Sequence, residues 1–86
     1  MAHILLVEDE ENIRRVLRKV LADEDASLQI SEAEDGFVAI AAISKTPFDL
    51  ILCDIKMPKK DGIEVLRYAQ EHCPQTPVVM ISGHGD

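Results

Sequence analysis

The chain has 86 residues, of which 47% are apolar, and nine Lys and Arg against 16 Asp and Glu leave a formal net charge of −7. That length holds one core, the apolar content excludes a disordered tail, and no apolar run approaches the ~20 residues that span a bilayer, so no membrane partner is expected. Lys and Arg are scattered and form no clustered face, which excludes direct nucleic-acid contact by this domain.

Met1 to Val7 has no basic region before its apolar stretch and no small-residue cleavage site, so it reads as a strand and a cytoplasmic location is expected. His3 to Val7 is a compact aliphatic run that suits a strand buried on both faces, and the acidic residues Glu8, Asp9, Glu10 and Glu11 end it. Ile13, Val16, Leu17, Val20 and Leu21 then recur at helical spacing, with Arg14, Arg15, Arg18 and Lys19 on the other side. Residues 28–33 form a weaker strand candidate. Asp35-Gly36 punctuates it before an alanine-rich helix over 37–44, with Phe37, Ile40, Ala41 and Ser44 expected on one side, closed by Thr46-Pro47. Residues 48–53 are a third strand, terminated at Asp54, and the turn-rich loop Met57-Pro58-Lys59-Lys60-Asp61-Gly62 follows. A third helix over 63–72 carries Val65, Leu66, Ala69 and Cys73 at helical spacing. Pro74 and Pro77 frame a turn before a fourth strand over 78–81, which ends at Ser82-Gly83.

The order βαβαβαβ pairs its strands in parallel through right-handed crossovers and gives an open α/β sheet. Ligands in such sheets sit at the carboxyl ends of the strands, near the point where strand order reverses. There the sequence places Glu8 and Asp9 after the first strand, Asp54 after the third and Ser82 after the fourth. Packed carboxylates either hold a proton at raised pKa or bind a hard divalent cation through oxygen ligands, for which Mg2+ is the natural choice. An ion with open positions beside a carboxylate and a hydroxyl suits phosphoryl chemistry, with Asp54 as nucleophile. His3, His72 and His84 lack metal-ligand spacing and read as structural or solvated, and Cys53 and Cys73 read as free thiols.

The run Ile4-Leu5-Leu6-Val7-Glu8-Asp9-Glu10 opens the chain, and Phe48-Asp49-Leu50-Ile51-Leu52-Cys53-Asp54-Ile55-Lys56-Met57-Pro58, followed by Asp61-Gly62, lies at its centre. With Val79-Met80-Ile81-Ser82-Gly83-His84-Gly85-Asp86, these blocks resemble the receiver domains of two-component response regulators, over the whole chain. The closing Ser-Gly-His-Gly-Asp looks most like NtrC-type and NtrX-type receivers. The resemblance implies a doubly wound parallel sheet of the flavodoxin-like (CheY-like) kind, strand order 2-1-3-4, in which residues 1–86 are the N-terminal portion of the domain. It implies that Asp54 is the phosphoacceptor, that Asp9 binds Mg2+ directly and Glu8 through a water, and that the backbone carbonyl of Lys56 is a further ligand. Ser82 matches the switch hydroxyl and Gly83 the small residue that leaves the phosphate room. Pro58 and Gly62 match the positions that shape the loop, and Lys56 and His84 the variable positions that set acyl-phosphate lifetime.

The implied partners are a sensor histidine kinase and, in the full-length protein, a DNA-binding output domain that regulates transcription. The domain would be no enzyme beyond its own phosphorylation and dephosphorylation. The family pattern continues with a helix, a fifth strand ending in a lysine, and a last helix, whereas this sequence stops at Asp86. An open edge on strand four and an uncovered first helix are therefore expected, and the chain is read either as a fragment of the domain or as one that associates in a homodimer or an element-swapped oligomer. Two other readings compete. An aspartyl phosphatase of the haloacid-dehalogenase kind would need an Asp two residues after Asp54, where Lys56 stands, and a phosphorylation-incompetent interaction module is compatible with the missing lysine.

Overall fold

The computed structural model describes residues 2–57 and 61–81. Four strands, β1 (His3–Val7), β2 (Gln29–Ala33), β3 (Leu50–Asp54) and β4 (Val78–Ile81), alternate with α1 (Glu11–Glu24), α2 (Gly36–Lys45) and α3 (Gly62–His72). All neighbouring strands run parallel in the order β2-β1-β3-β4, as expected. Because β1 lies between β2 and β3, with Val7 opposite Ala33 on one side and Cys53 on the other, strand order reverses at its end.

The aliphatic run of β1 is continuous because both of its faces are covered: Leu5, Leu6 and Val7 are completely buried. One face of the sheet gathers Leu5, Val7, Ile51 and Cys53 with Ala39 and Ile43 of α2, Val65 and Ala69 of α3, and Phe48 and Met57. Each large aliphatic side chain here contributes about 1.5–3 kcal/mol through removal from water. Helix α1 lies on the opposite face.

Helix α2 turns the other way round from the sequence expectation. Its buried residues are Gly36, Ala39 and Ile43, whereas Phe37 is 57% exposed and Ala41 and Ser44 face solvent. The helix is apolar almost all round, so periodicity does not select a face; Ala39 and Ile43 join the core cluster, and packing decides. Strand β3 also starts two residues later than residue 48. The Phe48 carbonyl accepts from Thr76 Oγ1 at 3.2 Å, and the Asp49 carboxylate accepts from the His3 backbone N–H at 2.8 Å, so this segment is held from outside its own strand. Asp49 in turn donates its N–H to the His3 carbonyl at 2.8 Å.

No residue of α1 is fully buried. Ile13, Leu17 and Leu21 are half-buried, while Val16 and Val20 are exposed, as is Val79 of β4. No helix among the described residues is long and apolar enough to cross a membrane.

Candidate functional site

Parallel pairing of β1 with β3 fixes what stands at their carboxyl ends. Val7 is in register with Cys53, so the next residues, Glu8 and Asp54, emerge side by side, and Asp9 follows. One carboxylate oxygen from each of Glu8, Asp9 and Asp54 lies within 4.8 Å of the others. Glu8 and Asp54 are each only 1% exposed. The structure thus brings together the three acids singled out in the sequence.

The partners these acids have are few. Glu8 Oε2 accepts from the Glu10 backbone N–H at 3.0 Å, and Asp54 Oδ1 accepts from the Lys56 backbone N–H at 3.3 Å. Asp9 Oδ1 and Asp54 Oδ2 are buried with no hydrogen-bond partner among the described residues. Buried acceptors without donors are costly, and three carboxylates at this spacing repel one another. A hard divalent cation would answer both conditions, because oxygen donors and negative charge are what it takes. The donor set fits a metal ion of that class.

Burial, opposed by the hydrogen bond from the Glu10 N–H and reinforced by Asp9 and Asp54, raises the Glu8 carboxyl from 4.5 to about 7. The folded chain therefore keeps a proton on Glu8 in a window where the unfolded chain has lost it. Without divalent cations, the contribution of Glu8 to stability is present below about 4.5 and is lost as pH rises toward about 7. Thermal melts in EDTA should show this fall between pH 5 and 8, and Glu8→Gln should flatten it. Added Mg2+ should raise the melting temperature more at pH 8 than at pH 5, since a proton on Glu8 removes negative charge that would draw the cation.

Cys53 lies beneath the cluster, fully buried, and its Sγ donates to the Asp54 carbonyl at 3.3 Å. Burial first, then the charges of Asp54, Glu8 and Asp61, push its thiol up to about 12, so it is neither nucleophile nor ligand at neutral pH. Gly62, the first residue of α3, lies directly on the Asp54 backbone: a Cβ there would stand 2.1 Å from the Asp54 carbonyl oxygen. Its N–H donates to the Ile55 carbonyl at 3.1 Å, and Asp61 caps the helix by accepting from the Glu64 N–H at 3.1 Å. Gly62 thereby lets a helix start against the strand end.

Lys56 is exposed. Pro58, Ser82, Gly83 and His84 lie outside the described residues; Ile81, which precedes Ser82, pairs with Asp54. His3 hydrogen-bonds Ser31 Oγ at 2.7 Å and packs edge-on against Phe48, and the exposed His72 lies tilted against the Tyr68 ring, in keeping with the structural or solvated reading.

Sequence reasoning missed Arg14, placed there with Arg15, Arg18 and Lys19 on the side of α1 away from its apolar stripe. Its Nη1 donates to the Glu8 carbonyl at 2.8 Å and its Nε to Glu32 Oε1 at 2.9 Å. The basic residues at positions 14 and 18, one helical turn apart, were the available signal, but the acid they share lies on another element.

The sequence matches the family described as response regulator receiver domain over residues 4–86. The transcriptional regulatory protein ResD of Bacillus subtilis (strain 168) is 46% identical over 96% of this chain and 33% of its own length. The response regulator receiver protein CpdR of Brucella abortus (strain 2308) is 40% identical over 96% of this chain and 68% of its own length. Among solved structures, a chain from the complex of histidine kinase ThkA with response regulator protein TrrA superposes with a TM-score of 0.88 at 30% identity. That match covers all of this chain and 72% of the other. The chain thus spans a third of ResD and about two thirds of CpdR.

Proposed function

Since the chain belongs to the response regulator receiver domain family, we propose that Asp54 accepts a phosphoryl group from a sensor histidine kinase, in a reaction that requires Mg2+. The observation that carries this reading is the meeting of Glu8, Asp9 and Asp54 at one sheet edge, with two buried carboxylate oxygens left without donors among the described residues. Asp9, Asp54 and the backbone carbonyl of Lys56 would hold the ion directly and Glu8 through water, as the family resemblance implies. Bound there, the ion would neutralise the phosphoryl oxygens as the transferring group passes to the acceptor.

The chain's own residues do the rest. A carboxylate oxygen of Asp54 attacks phosphorus, the bond from phosphorus to the kinase histidine nitrogen breaks, and a mixed anhydride forms. The Lys56 N–H keeps Asp54 Oδ1 oriented, and burial excludes bulk water from the carboxylate. Ser82 would donate its hydroxyl to the new phosphoryl group, Gly83 would leave it room, and Lys56 and His84 would set its lifetime. The kinase partner is supported by the superposition on a chain from the ThkA–TrrA complex, and a DNA-binding output that regulates transcription by the likeness to ResD. A cytoplasmic site of action accords with such a partner and output.

Incubation with acetyl phosphate and Mg2+ tests the proposal. The expected result is up to one phosphoryl group per chain, mapped to Asp54 by peptide mass spectrometry and prevented by EDTA. Labelling that persists without divalent cations, or that maps to another residue, would overturn it.

A further inference from the structure

Beside the acidic edge stands a second charged group that the proposed reaction does not use. Arg14 of α1 is mostly buried, its side chain 16% exposed, and its guanidinium makes two directed contacts on different elements. Nε pairs with Glu32 Oε1 of β2 at 2.9 Å and Nη1 donates to the Glu8 backbone carbonyl at 2.8 Å. Arg18, one turn further along α1, closes on the other oxygen of Glu32 at 2.6 Å and also donates to the Ile30 carbonyl at 3.3 Å. Burial alone would raise the Glu32 carboxyl, but the hydrogen bonds and charges of Arg14 and Arg18 outweigh it and hold the group below its usual range. The Glu8 peptide is meanwhile tied on its other side, where its N–H donates to the Ala33 carbonyl at 3.1 Å.

We propose that Arg14 is a positioning residue for the cation site: braced on Glu32, its guanidinium fixes the Glu8 peptide and thereby the place of the Glu8 and Asp9 carboxylates. The inference rests on the reading of the site as one that takes Mg2+. A planar fork serves two acceptors at once, whereas an ammonium on a flexible stem offers no such fixed pair, so charge alone does not replace it. The pair Arg15–Glu11, four residues apart on the exposed side of the same helix, provides the control.

Mg2+ binding to the full chain by titration calorimetry, with amide hydrogen exchange of the metal-free protein, tests this. Arg14→Lys and Arg14→Gln should each weaken Mg2+ binding about tenfold or more, the size expected when support behind a ligand is removed. Glu32→Gln should do the same, and Arg14→Gln with Glu32→Gln should lose no more than either alone, because the two act as one unit. Arg15→Gln should bind as the parent does. In the metal-free chain, the Glu10 amide, which donates to Glu8 Oε2, should exchange faster in Arg14→Lys. Should Arg14→Gln fail to fold, the Lys and Glu32 variants decide. Parental affinity in both Arg14→Lys and Glu32→Gln, or an equal loss in Arg15→Gln, would overturn the positioning role. A parent chain that binds no Mg2+ would overturn the reading of the site itself.

Discussion

Asp54→Asn is expected to lose phosphoryl labelling altogether and to melt higher than the parent in EDTA at pH 8. The first effect follows from the chemistry, since an amide oxygen is no nucleophile toward phosphorus. The second follows from the geometry. Two like charges ~5 Å apart at an effective dielectric of ~20 repel by on the order of 3 kcal/mol, and Asp54 faces Glu8 and Asp9 inside that distance. At pH 8 Glu8 has largely lost its proton, and relaxation of the side chains takes up part of this repulsion, so a gain of about 1–2 kcal/mol remains. For a domain of this size that is a rise of roughly 5–10 °C. The amide also gives the neighbouring carboxylates a donor where Asp54 Oδ2 offered none. A variant that still takes up phosphoryl groups at parental stoichiometry would show that another acid is the acceptor; one that melts lower would show that the carboxylates are not in conflict. Phosphorus labelling and calorimetric melting read the two effects separately.

Gly62→Ala is expected to destabilise the fold by about 2–4 kcal/mol and to slow labelling at Asp54. Inside a helix, Ala is normally favoured over Gly by up to about 1 kcal/mol. Here the added methyl would meet the Asp54 carbonyl oxygen at 2.1 Å and the Ile55 Cα at 2.9 Å, both backbone atoms at the end of a buried strand. Neither can rotate out of the way, so either α3 shifts or the Asp54 peptide does, and such overpacking costs about 1–3 kcal/mol or more. Ile63→Ala, at the next and largely exposed position, should cost less than about 1 kcal/mol. Denaturant melts of the two variants make the comparison, and equal losses would refute the role given to close approach.

What was legible in the sequence was what depends on one segment at a time. Strand β1 was found at its true limits, since a strand covered on both faces reads as an unbroken aliphatic run and the charged residues that follow mark its end. The meeting of Glu8, Asp9 and Asp54 was also legible, because parallel pairing leaves the ends of adjacent strands little choice of neighbour. The inner face of α2 was not. Phe37 looks like a core residue, yet it is Ala39 and Ile43 that pack into the core, and an almost uniformly apolar helix gives no pattern from which to tell that side. Nor was the bracing of Glu8 by Arg14, since an arginine four residues from another on a helix looks solvated until the helix is laid across β2, where Glu32 waits. Charge patterning along a single element carries no information about such a partner.

Ile55 stands where three elements are spliced. Its N–H hangs on the Ile81 carbonyl at the tip of β4, its carbonyl carries the first amide of α3, and its own peptide begins at Asp54. A bulky anion added one residue upstream therefore cannot be absorbed by a slack loop. Under the proposed function, a recoil at Asp54 would reach a strand tip and a helix start together, two levers leading away from the acidic edge in different directions.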